Sequence, residues 1–337
     1  MNLKIRLLLF AVGLALAAGI IVHAGTATLV QHLTATGWLL LPVVAVWGGV
    51  YSLSTQAWRI TLSHLALRPG FWRLWAISVS SFALNVVTPV LGVGGEAYRA
   101  ASLAPWIGRR HAVGAVVQYR LLHSLAHMLF VLTALIPGIL LLPFTPFAVG
   151  ALGLMAVVGL VVAWFLHQRH REGILEAGLD LLLAIPGIRR LARRLEGRRE
   201  ALRAMDARIT MVYHEHPGSF WGAVAVEYLS RWVMAMELMV VLFALGLGFR
   251  PWEAVVALGL STTITNLFFF IPMELGAREG GLFLVFSLLG LGGEHGVFAA
   301  VVTRLRELVW TMIGLLLVWA GGGRLPEPAG ESSPTVP

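Results

Sequence analysis

The stretch Phe71–Pro105, FWRLWAISVSSFALNVVTPVLGVGGEAYRAASLAP, decides how the rest of the chain is read. It is apolar enough to lie in a bilayer, yet long for one membrane helix and short for two. One crossing takes about 20 residues, because ~30 Å of hydrocarbon is covered at 1.5 Å per residue. Pro89 and the clustered glycines Gly92, Gly94 and Gly95 interrupt it near the middle. A second stretch of the same kind, Trp252–Leu291, is interrupted by Pro272, Gly276, Gly280 and Gly281. With roughly 15 apolar residues per arm, each reads as a helical hairpin that enters and leaves on one side of the membrane. Irregular backbone at that depth survives only against protein or a water-filled cavity, so two such tips imply a cavity.

Outward from these hairpins, six segments read as full spans: Ile5–Val22, Trp38–Ala57, Ala112–Pro137, Phe147–Leu166, Phe220–Leu247 and Val297–Ala320. Composition agrees. Of 337 residues 58% are hydrophobic and 12% charged, with a mean hydropathy of +0.82. Soluble domains carry about 25% charged residues, so a soluble globular enzyme is excluded. The expectation is an all-α polytopic membrane protein, a single unit over 1–322, followed by a disordered tail at 323–337. The absence of cysteine excludes a disulfide scaffold, thiol catalysis and thiolate metal sites.

Basic residues set the orientation. Lys4, Arg6, Arg59, Arg68, Arg73, Arg109, Arg110, ten arginines between His167 and Gly218, and Arg324 all fall on one side. Arg250 is the one basic residue left in an opposite loop. Both termini are therefore expected in the cytoplasm. A cleaved signal peptide ending near Val22-His23-Ala24 is the alternative for the first span; its apolar core is long for one, and the topology balances with it retained. The segment 167–218 contains a basic amphipathic pattern (Ile188, Leu191, Leu195, Leu202), read either as a helix lying on the inner leaflet or as ordinary positive-inside anchoring.

The order span, span, hairpin, span occurs twice, over about 5–137 and 147–320, starting from opposite sides. That is the layout of an inverted repeat, whose site lies between the discontinuous elements. The tips share an order of residues, Asn85…Pro89…Gly92…Glu96 and Asn266…Pro272…Gly276…Glu279.

Twelve charges lie in or beside apolar segments: Arg99, Arg120, Arg231, Arg278, Arg304 and Arg306, with Glu96, Glu227, Glu237, Glu274, Glu279 and Glu307. Each costs about 2.5–3.5 kcal/mol at a helix centre unless paired or hydrated. Glu227 and Arg231 are four apart on one helix face. Glu96, Arg99, Arg278 and Glu279 lie at the broken helices, where free N–H groups and arginine forks suit a phosphate. His123 and His127 sit four apart in the fourth crossing, read as packed side chains, a proton relay or a head-group contact. Gly92–Glu96 lacks the Lys-Ser/Thr of a phosphate loop, so nucleotide hydrolysis has no support.

Two segments carry a resemblance. Asn85-Val86-Val87-Thr88-Pro89…Gly94-Gly95-Glu96-Ala97-Tyr98-Arg99 resembles a motif of the lysylphosphatidylglycerol synthase transmembrane (flippase-like) family. Pro272-Met273-Glu274-Leu275-Gly276-Ala277-Arg278-Glu279-Gly280 is similar to its second motif, and Val302-Thr303-Arg304 to the arginine opening its last helix. Glu274 stands where the family has Gly. Tyr119-Arg120-Leu121-Leu122-His123 stands where relatives often show Glu-Arg-x-x-Asp, so Arg120 lacks both acidic neighbours. Relatives that make aminoacylated lipids carry a further soluble transferase domain; the resemblance here implies the short form without it.

The resemblance implies a bacterial inner-membrane protein that binds and translocates a lipid with an anionic phosphate head group: a glycerophospholipid, a polyisoprenoid phosphate or a hopanoid-related lipid. The expected substrate-binding residues are Arg99, Arg120, Arg278, Arg304, Glu96, Glu279, Glu274, Asn85 and His123. No cofactor, metal, nucleic acid or catalytic residue is expected. Membrane lipids are the partners, with a second copy or lipid-biosynthesis proteins as further ones. A lipid-modifying enzyme and a proton-coupled carrier of a small polar solute remain as alternatives.

Overall fold

The computed structural model describes residues 40–65, 68–88, 93–169, 215–267 and 276–321, with six isolated positions besides. The span Ile5–Val22, most of the basic segment 167–218, the tip residues 268–275 with Glu274, and the tail 323–337 lie outside the described residues. Nine helices and no strand occur among the described residues: α1 (Leu40–Thr61), α2 (Phe71–Val87), α3 (Val93–Ile107), α4 (Arg109–Leu141), α5 (Pro146–Arg169), α6 (Pro217–Ala244), α7 (Pro251–Leu267), α8 (Ala277–Leu288) and α9 (Gly293–Gly321).

Local chemistry sets the breaks. Three helices open on proline (Pro146, Pro217, Pro251), where the missing N–H costs nothing. Pro89 disfavours helix at the residue before it, and Thr88 is extended (φ −95°, ψ 105°). The Thr88 N–H and hydroxyl both donate to the Leu84 carbonyl, at 2.9 and 2.6 Å. Gly276 precedes α8 at φ +79°, a left-handed conformation natural to glycine.

Each interrupted stretch is thus two helices packed together, α2 on α3 and α7 on α8. These arms hold 17, 15, 17 and 12 residues, so they reach about 18–25 Å at 1.5 Å per residue, less than the ~30 Å of a hydrocarbon core. The five other helices hold 22–33 residues, long enough to cross. The stretch His111–Leu141 is long and apolar enough to cross a membrane. Along α5 and the end of α4, Ile136, Leu140, Val149, Val157, Leu160 and Trp164 are all exposed. So continuous an apolar face suits hydrocarbon rather than water.

The helix contacts pair off. The most extensive is α1 on α6. Packing of α2 on α9 is answered by α7 on α4, α3 on α4 by α8 on α9, α1 on α2 by α6 on α7, α1 on α9 by α6 on α4, and α1 on α4 by α6 on α9. Exchanging α1 with α6, α2 with α7, α3 with α8 and α4 with α9 leaves this set unchanged. The contacts of α5 have no described counterpart. One large core joins α4, α6, α7, α8 and α9 around Phe130, Leu242, Leu260, Val285 and Phe286. A smaller one joins α1 to α4 around Trp58, Leu74, Leu103 and Tyr119.

Candidate functional site

In the first half the site begins where α3 meets α2. A Cβ on Gly95 would lie 2.1 Å from the Ser81 carbonyl, so only glycine permits this approach. The Gly95 N–H donates to Asn85 Oδ1 at 2.7 Å. Asn85 therefore ties the two arms together and sets the position of Glu96 one residue on. Glu96 faces two arginines, Arg120 (Nη1–Oε1 3.5 Å) and Arg99 (Nη1–Oε2 3.8 Å). Arg99 is held between the rings of Trp58 and Tyr119, 5.2 and 5.1 Å from their centroids, and its buried Nε has no hydrogen-bond partner. The Arg120 side chain is 60% exposed.

Behind this cluster lies a buried network. Glu227 on α6 is fully buried. It accepts from Ser54 at 3.1 Å, Tyr119 at 3.2 Å and Arg231 at 2.9 Å, and its Oε1 lies 2.8 Å from His123 Nδ1. A buried carboxylate persists only with such partners. Arg231 Nη2 also lies 2.8–2.9 Å from the His123 ring nitrogens.

In the second half, Glu279 in the first turn of α8 accepts the Gly276 N–H at 2.8 Å and Arg304 Nε at 3.3 Å. Glu307, one turn beyond Arg304 on α9, accepts from Arg278 at 2.5 Å and from Arg304 at 3.4 Å. Deeper, Glu237 on α6 takes both Nε and Nη2 of Arg306 at 2.9 and 3.1 Å, and the Trp47 indole N–H at 2.6 Å. The Arg306 guanidinium lies 3.7 Å from the Trp47 ring centroid. A cavity of about 200 Å³ opens beside these pairs, lined by Arg278, Glu307, Arg306, Glu237, Ser261, Thr265 and Asn266 among others. No group of three or more metal-ligating side chains occurs among the described residues.

The sequence profile of the lysylphosphatidylglycerol synthase TM region matches residues 10–314. The chain belongs to that family. It is a multi-pass membrane protein, and the family connects it with lipid handling. No curated protein and no solved structure is significantly similar to it.

In this member of the lysylphosphatidylglycerol synthase TM-region family, the sequence-predicted site residues fall into two groups. Asn85, Glu96, Arg99, Arg120 and His123 gather around α3 and α4, whereas Arg278, Glu279 and Arg304 gather around α8 and α9. Glu274 lies outside the described residues. The expectation of open N–H groups at the broken helices meets a different arrangement, since Asn85 and Glu279 already accept the Gly95 and Gly276 donors. Arg120 is the twelfth residue of α4 and Arg304 the twelfth of α9. Each pairs with the first-turn glutamate of the short helix before it. Three residues on stand His123 and Glu307. Sequence reasoning counted Glu307, Glu237, Arg306, Glu227 and Arg231 among the costly membrane charges without placing them at the site. Arg304-x-x-Glu307, set against Arg120-x-x-His123, was the signal available for Glu307. Nothing local marks Trp47 as the partner of Glu237, 190 positions away.

Proposed function

We propose that the protein binds a lipid with an anionic phosphate head group and carries it across the bacterial inner membrane. The observation that carries this reading is the charge count at Glu96. One carboxylate faces both Arg99 and Arg120, and Arg120 is largely exposed. One positive charge is left for a phosphate, which an arginine fork holds with two parallel hydrogen bonds. Asn85 acts by holding the arms, Glu96 by balancing the two guanidinia when no lipid is bound.

The same proposal reads α2–α3 and α7–α8 as re-entrant hairpins of an inverted repeat. The short arms and the contacts that exchange between halves support it, and the site of such repeats lies between the broken elements. Both termini face the cytoplasm on the bias of the basic residues. The protein acts as a carrier rather than an enzyme, with the lipid tails remaining in the bilayer while the head group crosses.

Reconstitution tests this. Tail-labelled phosphatidylglycerol in vesicles should redistribute between leaflets when the protein is present. Arg99→Ala and Arg120→Ala should each slow transfer by roughly 10–100-fold, the worth of a hydrogen bond to a charged group. Unchanged rates in both variants would remove this site.

A further inference from the structure

One face of α4 joins the two charge clusters. Arg120, His123 and His127 are spaced by three and four residues, which stacks them on one side of a helix. They cover about 10 Å at 1.5 Å per residue. Arg120 is exposed, and both histidines are half-buried rather than sealed in the core. At one end Arg120 belongs to the Glu96 cluster. In the middle His123 meets Glu227 and Arg231, whose buried Nε has no hydrogen-bond partner. At the other end His127 Nε2 lies 3.3 Å from Asn266 Nδ2 on α7. Asn266 is itself exposed and lines the cavity that holds Arg278 and Glu307.

Polar side chains at this depth are costly unless they have partners or serve a polar path. A head group leaving one arginine cluster for the other through hydrocarbon would give up all its hydrogen bonds at once. Steps of one helical turn, about 5 Å, avoid that loss. We infer that the Arg120–His123–His127 face of α4, continued by Asn266, is a polar rail along which an anionic head group passes between the Glu96 cluster and the cavity beside Arg278 and Glu307. The His127 imidazole and the Asn266 amide donate to phosphate oxygens in turn, His123 holds Arg231 beside the path, and the tails stay outside. The inference rests on the transport reading above and adds to it the route between the two halves.

The experiment uses the full chain in neutral phosphatidylcholine vesicles with a small fraction of tail-labelled phosphatidylglycerol. His127→Leu and Asn266→Leu should each slow transfer by about tenfold, as expected for one lost hydrogen bond in the rate-limiting passage. Phosphatidylglycerol retained on the purified protein, read by native mass spectrometry, should stay at the wild-type level because Arg99 and Arg120 are intact. His127→Gln, which keeps a donor, should transfer at close to the wild-type rate. Should His127→Leu fail to fold, Asn266→Ala at its exposed position carries the same test. Wild-type rates in His127→Leu and in the Asn266 variants, beside a wild-type protein that does move lipid, overturn the rail and leave the transport reading standing. A wild-type protein that neither retains nor moves the lipid overturns both.

Discussion

Arg304 and Arg120 occupy the same position in α9 and α4, and each pairs with the glutamate of the preceding short helix. Yet the Arg304 side chain is 6% exposed and that of Arg120 60%. The difference follows from their neighbours. Around α8 and α9, Arg278 and Arg304 are matched by Glu279 and Glu307, so the charges of the described cluster balance beside the cavity. Around α3 and α4, Glu96 faces Arg99 and Arg120 together, and His123 stands where the second acid would be. His123 has turned to Glu227 and Arg231 instead. One scaffold therefore holds a charge-balanced cluster in one half and a cluster with one surplus arginine in the other.

Removing the acid from each half is the harshest way to break this comparison. Glu307→Ala removes the acceptor that Arg278 and Arg304 share and should lower stability by about 1.5–3 kcal/mol, read as a fall in melting temperature in detergent. Glu96→Ala, beside an exposed arginine, should cost less than about 1 kcal/mol. Equal losses would mean that the halves are not built differently. A second prediction probes the hairpin that places Glu96. Gly95→Ala drives a Cβ into the Ser81 carbonyl and should cost about 1–3 kcal/mol, whereas Gly114→Ala, whose Cβ meets nothing within 4 Å, should change little.

Glu307→Gln sharpens the comparison in the other direction. It gives the second half the positive surplus of the first, and phosphatidylglycerol bound per protein should rise severalfold in native mass spectrometry. No increase would mean that charge surplus alone does not make the site. The smallest expected effect lies outside the membrane, at the junction of α1 and α6. There His64 stacks on His216, with ring centroids 5.7 Å apart. Burial first, then the neighbouring His216, hold the His64 imidazole below its ordinary range. The folded state thus favours neutral His64. Its contribution is full above about pH 6.5, the unperturbed imidazole value, and is lost as pH falls below it. The fall in melting temperature on acidification should be smaller in His64→Gln than in the wild type.

Much of this architecture was legible in the sequence because membrane burial writes itself into composition. Pro89 and the glycines before Glu96 marked the interruption, and α2 ends at Val87. The pairing of Glu227 with Arg231 followed from their spacing and is seen at 2.9 Å. What could not be read was which half would balance its charges. That depends on contacts between distant segments, such as Arg278 with Glu307 and Trp47 with Glu237. A helix face also does not reveal whether it looks at a partner or at lipid, which is why Arg120 and Arg304 were both expected to bind substrate.

The most direct measurement is a cryo-electron microscopy map of the protein in nanodiscs containing phosphatidylglycerol. The account predicts lipid density with its phosphate within hydrogen-bonding distance of Arg120 and Arg99, and the Arg278–Glu307 pair intact. A phosphate bound to Arg278 and Arg304 with Glu307 displaced, and nothing at Arg120, would contradict it.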